Sequence, residues 1–335
     1  MTRGETRYVL LAISACATVA LIAGGCFLSG YVGSSRDLVL VRNSLVHEVA
    51  PNESLFAASP TDAPQTNAAE LDELSRAAMD IAETAPKQGA FQIALALVRH
   101  LDHPGVPLGG AISADTLETY RTIRNGGQGY CADYTAVFLA LARGAGLHAR
   151  EWGISFTGYS GDGHAVVEVY SPELEQWIFI DAFNGFYVAA PEGRPLSFMQ
   201  LRRTLGGQHD HALRLERITD ELPFSSPDAA LKYLSAGLSR AYLSRLETSN
   251  VFESDPVLSA IAPISRKGAQ VAAIIMGKHP KMTIVPSPRD RSALVELAHV
   301  RLSVIVCGLA LPAILICVGL SFRLARQSKR IATPS

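Results

Sequence analysis

Cysteine is scarce in this sequence, with five in 335 residues. Four of them, Cys16, Cys26, Cys307 and Cys317, lie inside two uncharged apolar stretches, where a thiol behaves as a small hydrophobe. Cys131 alone lies between those stretches, so a disulfide within that region is excluded by counting. Such a thiol is either reactive or an ordinary buried structural cysteine, and its surroundings must decide. An excess of charge is missing too: 30 Lys and Arg face 31 Asp and Glu. With no long basic run in the body of the chain, nucleic acid is not expected as a partner. No acidic cluster has calcium-ligand spacing, so neither a metal nor a cofactor is expected. The run His209-Asp210-His211 has metal-binding residue types, but it reads better as an exposed polar loop.

Apolar residues are plentiful instead, at 48%, and mean hydropathy is positive at +0.18. Tyr8 to Ser35 contains no Asp, Glu, Lys or Arg, and neither does Leu302 to Phe322. Each reaches the roughly 20 residues that a helix needs to cross a hydrocarbon core. Arg3 and Arg7 precede the first; Arg323, Arg326, Lys329 and Arg330 follow the second. Short basic flanks stay on the cytoplasmic side. The expectation is a two-pass protein of the inner membrane with its central region outside the cytoplasm. A cleaved signal peptide is the competing reading of the first stretch, and Ile22–Cys26 loosely resembles a lipoprotein signal.

Expected organisation follows. Residues 1–7 form a cytoplasmic N-terminus, 8–32 and 302–322 transmembrane helices, and 323–335 a basic cytoplasmic tail. Residues 33–68 read as a linker, rich between about 50 and 68 in Pro, Ala, Ser, Thr and Asn. A domain is expected over 69–200 and a mostly helical extension over 201–300. Helical periodicity begins near Ala69, with Leu71, Leu74, Ala78 and Ile81 on one face. Gln92–Leu101 gives another helix, broken at His103-Pro104-Gly105. After Gly126, Gly127 and Gly129 comes Tyr130-Cys131 and a helical pattern through Tyr134, Val137, Phe138 and Leu141, stopped at Gly144 and Gly146. Two strand-like runs follow, Ala165–Tyr170 and Gln176–Ile180. His164 heads the first, behind the glycine-rich turn Gly158–Gly163, and Asp181 ends the second. Leu231, Leu234, Leu238 and Tyr242 continue a helical spacing in the extension.

This order suits thiol chemistry. A cysteine in the first turn of a helix meets free N–H groups and the positive end of the helix dipole, which favour a thiolate. Histidine takes the proton, and a carboxylate fixes the imidazole tautomer. Taken singly, His164 reads better as a half-buried strand-edge histidine, and Asp181 as a turn residue at a strand end. The conjunction is what makes the pattern specific.

The segment GQGYCADYTAVFLALARGAGLHAREW resembles the nucleophile segment of the transglutaminase-like superfamily. It shares the Gly129-x-Cys131 turn, the aromatic Tyr134, an Ala- and Leu-rich helix, and the exit Gly146-Leu147-His148-Ala149-Arg150. GDGHAVVEVYSPELEQWIFIDA resembles the next two elements, a Gly-His strand and a strand running from Trp177 to the acid. The resemblance implies an α+β, papain-like transglutaminase core, a cysteine helix on an antiparallel sheet. It implies Cys131 as nucleophile, His164 as base and Asp181 as orienting acid. Gln128 is a candidate oxyanion donor by position, Tyr130 and Trp177 are candidates for the cleft, and Arg150 is expected to support the fold. The usual proline after the acid is Ala182 here. The implied activity is attack on amide or ester bonds through a thioester, ending in hydrolysis or acyl transfer, on a peptide, protein or envelope polymer. Two alternatives stay open. One is a non-catalytic module of envelope or polysaccharide assembly. The other is an N-acetyltransferase-like enzyme, which Arg124-Asn125-Gly126-Gly127 faintly resembles and which would need acetyl-CoA.

Overall fold

The computed structural model describes residues 2–46, 56, 60, 72–85, 89–102, 115–127, 129–206, 213–244, 255–279 and 281–331. Helices α1 (Arg3–Ser29) and α2 (Ser35–Asn43) each start with a capping box. Thr2 and Ser34 accept from the backbone three residues on, and Glu5 and Asp37 reach back, which satisfies the amides that a helix start leaves free. Four helices follow: α3 (Asp72–Thr84), α4 (Ala90–Leu101), α5 (Thr116–Arg124) and α6 (Cys131–Gly144). Then come strands β1 (Ala149–Ser155), β2 (Gly163–Ser171), β3 (Gln176–Asp181) and β4 (Phe186–Ala189), helix α7 (Phe198–Gly206), β5 (Arg214–Arg217), α8 (Pro227–Gly237) and β6 (Ala241–Ser244). The chain closes with α9 (Pro256–Ile261), α10 (Arg266–Ile275), β7 (Met282–Val285) and α11 (Arg291–Ile331).

The strands form one antiparallel sheet in the order β5-β4-β3-β2-β1-β6-β7. Side chains alternate across a strand, and β3 shows both uses of that rule. Ile178 and Ile180 face α3–α6, in a core with Leu97, Ile123, Val137, Phe138 and Leu141. Phe179 faces the other way, in a second core under α7 and α8 with Trp152, Phe186, Phe198 and Leu234. The architecture is the expected α+β arrangement of helices on an antiparallel sheet.

The described part of residues 201–300 holds several helices, and it also holds strands that the sequence pattern does not mark. These are three of the seven strands, one at one edge of the sheet and two at the other. The reason is local. Leu231, Leu234, Leu238 and Tyr242 keep a three-to-four spacing, but α8 ends at Gly237 and Tyr242 stands in β6. Strands of four residues sit at the shortest length over which alternation is read. Within the expected linker, Ser35–Asn43 is helical, and most of the rest lies outside the described residues.

A third core joins α2, β7 and the first turns of α11, through Leu40, Val41, Met282, Ile284, Leu297 and Val300. Beyond that core α11 runs on without a break into the second apolar stretch, past Pro312. It packs antiparallel to α1: Tyr31 Oη donates to Glu296 Oε1 at 3.0 Å, and a Cβ at Gly24 would lie 2.7 Å from Cys307 Sγ. Small residues permit that approach, as at membrane helix pairs. By length and composition α1 and α11 are each able to cross a membrane.

On the second core's side of β2 sits Glu168, fully buried. It accepts Arg150 Nε at 2.8 Å and the Phe198 N–H at 2.6 Å, and Trp152 Nε1 donates to it as well. Removing one side of a buried, paired charge costs about 3–5 kcal/mol. Glu168→Ala is therefore expected to lower the unfolding free energy by that order in a denaturant titration. A loss within experimental scatter would contradict the role given to this carboxylate.

Candidate active site

Three pieces of the fold converge at one end of β1–β3. Cys131 is the first residue of α6, and the N-terminus is closed by Asp133, whose carboxylate accepts the Tyr130 N–H at 2.8 Å. The chain reaches that point through Gly126, whose φ of +75° is a conformation other residues resist. His164 enters from β2, directly opposite Ile154 of β1. Gly163 is required just before it, because a Cβ there would lie 2.2 Å from the Ile154 carbonyl oxygen. Asp181 is the last residue of β3.

The His164 side chain is 2% exposed and that of Asp181 is fully buried. His164 Nε2 lies 2.8 Å from Asp181 Oδ2. The same oxygen accepts Asn184 Nδ2 at 2.8 Å, and Oδ1 accepts the Asn184 N–H at 3.0 Å. Asn184 Nδ2 is also 3.3 Å from His164 Nε2. Both are donors to one oxygen, so this contact records their crowding around Oδ2. With Nε2 turned to Asp181, Nδ1 is the ring nitrogen left for the thiol.

Two opposed effects act on the ring. Burial alone would drive its pKa down. The charge and hydrogen bond of Asp181, helped by the Cys131 thiol nearby, outweigh burial and raise it from 6.5 to about 10. Phe183 and Tyr233 wall the ring edge-on, at centroid distances of 6.1 and 5.5 Å. Burial, reinforced by charge at Cys131, Asp181 and Asp162, pushes the Tyr233 phenol well above its ordinary value. It therefore stays a hydrogen-bond donor.

The other residues singled out in the sequence fare differently. Tyr130 is exposed beside Cys131. Trp177 is not brought to the site. It lies four residues before Asp181 on the same strand, about 13 Å at a strand's rise, with the Arg150 guanidinium 3.9 Å above its ring and Tyr170 edge-on. Its place is in the Arg150–Glu168 arrangement, and its proximity in sequence to the acid is undone by the extended backbone. Gln128 and the His209-Asp210-His211 run lie outside the described residues. Sequence reasoning missed Asn184 and Tyr233. Asn184 had a faint signal, since Asp-x-x-Asn after a strand is a turn pattern. Tyr233 had none, because α8 is far from the site along the chain.

The transglutaminase-like superfamily description matches residues 76–182. A transglutaminase-like domain is thus part of this chain. The match begins within α3 and ends one residue past Asp181, so it contains Cys131 and His164 and excludes Asn184 and Tyr233. Among solved structures, the periplasmic domain of TgpA from Pseudomonas aeruginosa is similar at 20% identity, over 36% of this chain and 44% of that one, with a TM-score of 0.27. The chain spans less than half of that structure, and a likeness this low carries no argument about chemistry. No curated protein matches the chain.

The raised His164 pKa has a defined consequence for stability. The stabilisation is fully present below 6.5, the unfolded value, and is lost as pH rises through about 10, the folded one. Urea titrations of wild type and His164→Gln are expected to differ most at the acid end of that window and to converge toward its alkaline end. A gap that widens with rising pH would contradict the assignment.

Proposed function

We propose that this chain is a membrane-anchored thiol enzyme that cleaves or transfers acyl groups through a thioester on Cys131. The observation that carries this reading is the clamp on His164. Asp181 and Asn184 fix one side of the ring, and the other nitrogen is free to face a thiol at a helix N-terminus. Cys131 gives its proton to His164, and the thiolate attacks the acyl carbon of an amide or ester. The first-turn amides of α6 have no intrahelical acceptor, so the Cys131 N–H is able to meet the developing oxyanion. Gln128 is the second donor by position. The His164 imidazolium then protonates the leaving amine or alcohol, and the thioester remains. Water or an amine, deprotonated by neutral His164, attacks the thioester and restores the thiol.

The chain's two apolar helices would hold this domain against the inner membrane, with residues from about 36 to 300 on the extracytoplasmic side and both basic ends inside. The substrate class that suits this placement is a peptide, protein or envelope polymer. Tyr130, exposed beside the nucleophile, would line its path. No observation favours the non-catalytic or the acetyl-CoA-dependent reading.

Iodoacetamide, followed by mass spectrometry of the Cys131 peptide, tests the mechanism. Wild type is expected to alkylate readily near pH 6, because the His164 imidazolium beside the sulfur favours attack by a thiolate. His164→Ala is expected to lose that acid-side reactivity. Equal profiles for the two proteins would sink the dyad. For topology, a reporter active only in the cytoplasm is expected to function at the C-terminus and to fail when inserted at exposed Leu174. The reverse pattern would overturn the envelope placement.

A further inference from the structure

Helices α9 and α10 carry an apolar surface that the domain does not use. Ala269 and Ala273 of α10 are fully buried against the fold, while Val271 and Ile275, four residues apart, face outward. Ile264, in the turn before α10, is 87% exposed and Ile275 is 79% exposed; Val257 of α9 and Met276 are exposed as well. Contiguous exposed side chains of this kind mark an interaction surface more often than isolated ones do.

The position of this surface says what covers it. Lys267 Nζ, in the first turn of α10, donates to the Gly33 carbonyl at 3.3 Å. Gly33 is four residues past Ser29, where α1 ends, and α10 packs on α2, which begins at Ser35. The neighbouring collar is set by Tyr31 on Glu296 and by Arg301, which donates to the Ser44 carbonyl. This is the level at which the α1–α11 pair leaves its apolar section. The charges agree with that place. The first turn of α10 holds Arg266 and Lys267 and no acid, an arrangement that the positive end of a helix dipole opposes. Lipid phosphates at the same level would offset that opposition.

We infer that the α9–α10 surface lies on the bilayer that the α1–α11 pair crosses. Ile264, Val271 and Ile275 sit at the boundary between headgroups and acyl chains, with Arg266 among the phosphates. An interfacial amphipathic helix buries its apolar face to that shallow depth. The inference rests on reading α1 and α11 as membrane spans. Its effect is to give the domain a third attachment, which fixes its tilt on the membrane and so the direction in which the Cys131 site faces.

Tryptophan quenching by lipids brominated on the acyl chain tests this directly, in the full chain reconstituted into phosphatidylglycerol-containing nanodiscs. Trp152 and Trp177 are buried and supply a constant background. Ile264→Trp and Ile275→Trp are each expected to lose most of the added emission in brominated lipid. Leu311→Trp, exposed within the second apolar stretch, should do the same. Leu174→Trp, at the far end of β2 from the α2 contact, should not. If the first two variants behave like Leu174→Trp, the surface faces water and the inference is wrong. Blue-shifted but unquenched emission would mean that protein, a second copy or another partner, covers the surface, and would overturn it equally. If Leu311→Trp is unquenched, the spanning reading fails and takes this inference with it. None of these outcomes depends on Cys131 reactivity, which is measured separately.

Discussion

The 2.8 Å contact between His164 and Asp181 is the constraint around which this structure is arranged. A fully buried carboxylate is tolerable only when its oxygens are satisfied, and Asp181 accepts from His164 and twice from Asn184. Two of those donors arrive on one oxygen, which leaves the imidazole little freedom to rotate. The same contact orients the ring, because Nε2 is turned to Asp181 and Nδ1 is not. Strand β2 must then pass β1 closely enough that only glycine fits at position 163. Helix α6 must begin where its first residue meets the ring. Charge decides the remaining competition: burial disfavours an imidazolium, and Asp181 more than reverses that.

Much of this was legible in the sequence, for identifiable reasons. Cys131, His164 and Asp181 each stand at the boundary of an element, and boundaries are where glycine and apolar periodicity leave marks. Gly126, Gly129 and Gly163 are backbone requirements as much as flexible spacers. The two apolar stretches were visible from charge alone. The sequence was silent where spatial neighbours are distant along the chain. Tyr233 is edge-on to His164 from α8, and nothing near residue 233 says so. The strands β5, β6 and β7 are four residues each, the shortest length over which a period-two pattern is read. Trp177 misled for the opposite reason. It is near Asp181 in sequence, but an extended strand carries it about 13 Å away, onto Arg150.

The same contacts that shape the site tie it to α2 and to the start of α11. The turn ahead of His164 is held from outside: Asn43 Nδ2 of α2 donates to the Tyr159 carbonyl at 2.8 Å, and the Gly161 N–H donates to the Arg36 carbonyl at 3.1 Å. Arg240 donates to the carbonyls of Ser155 and Phe156 and pairs with Asp290 at 2.9 Å, one residue before α11 begins. Helix α11 runs from that point through the apolar stretch as one element. The histidine-bearing turn is therefore fastened to α2 and to the start of α11, which leaves the candidate site little freedom to move relative to them.

Nitrogen-15 NMR of histidine-labelled protein tests the central claim most directly, since it reads the charge on the ring itself. The account predicts that His164 carries protons on both ring nitrogens at neutral pH, and that Asp181→Asn shifts it toward the neutral form. A neutral His164 ring at pH 7 in the wild-type protein would contradict it.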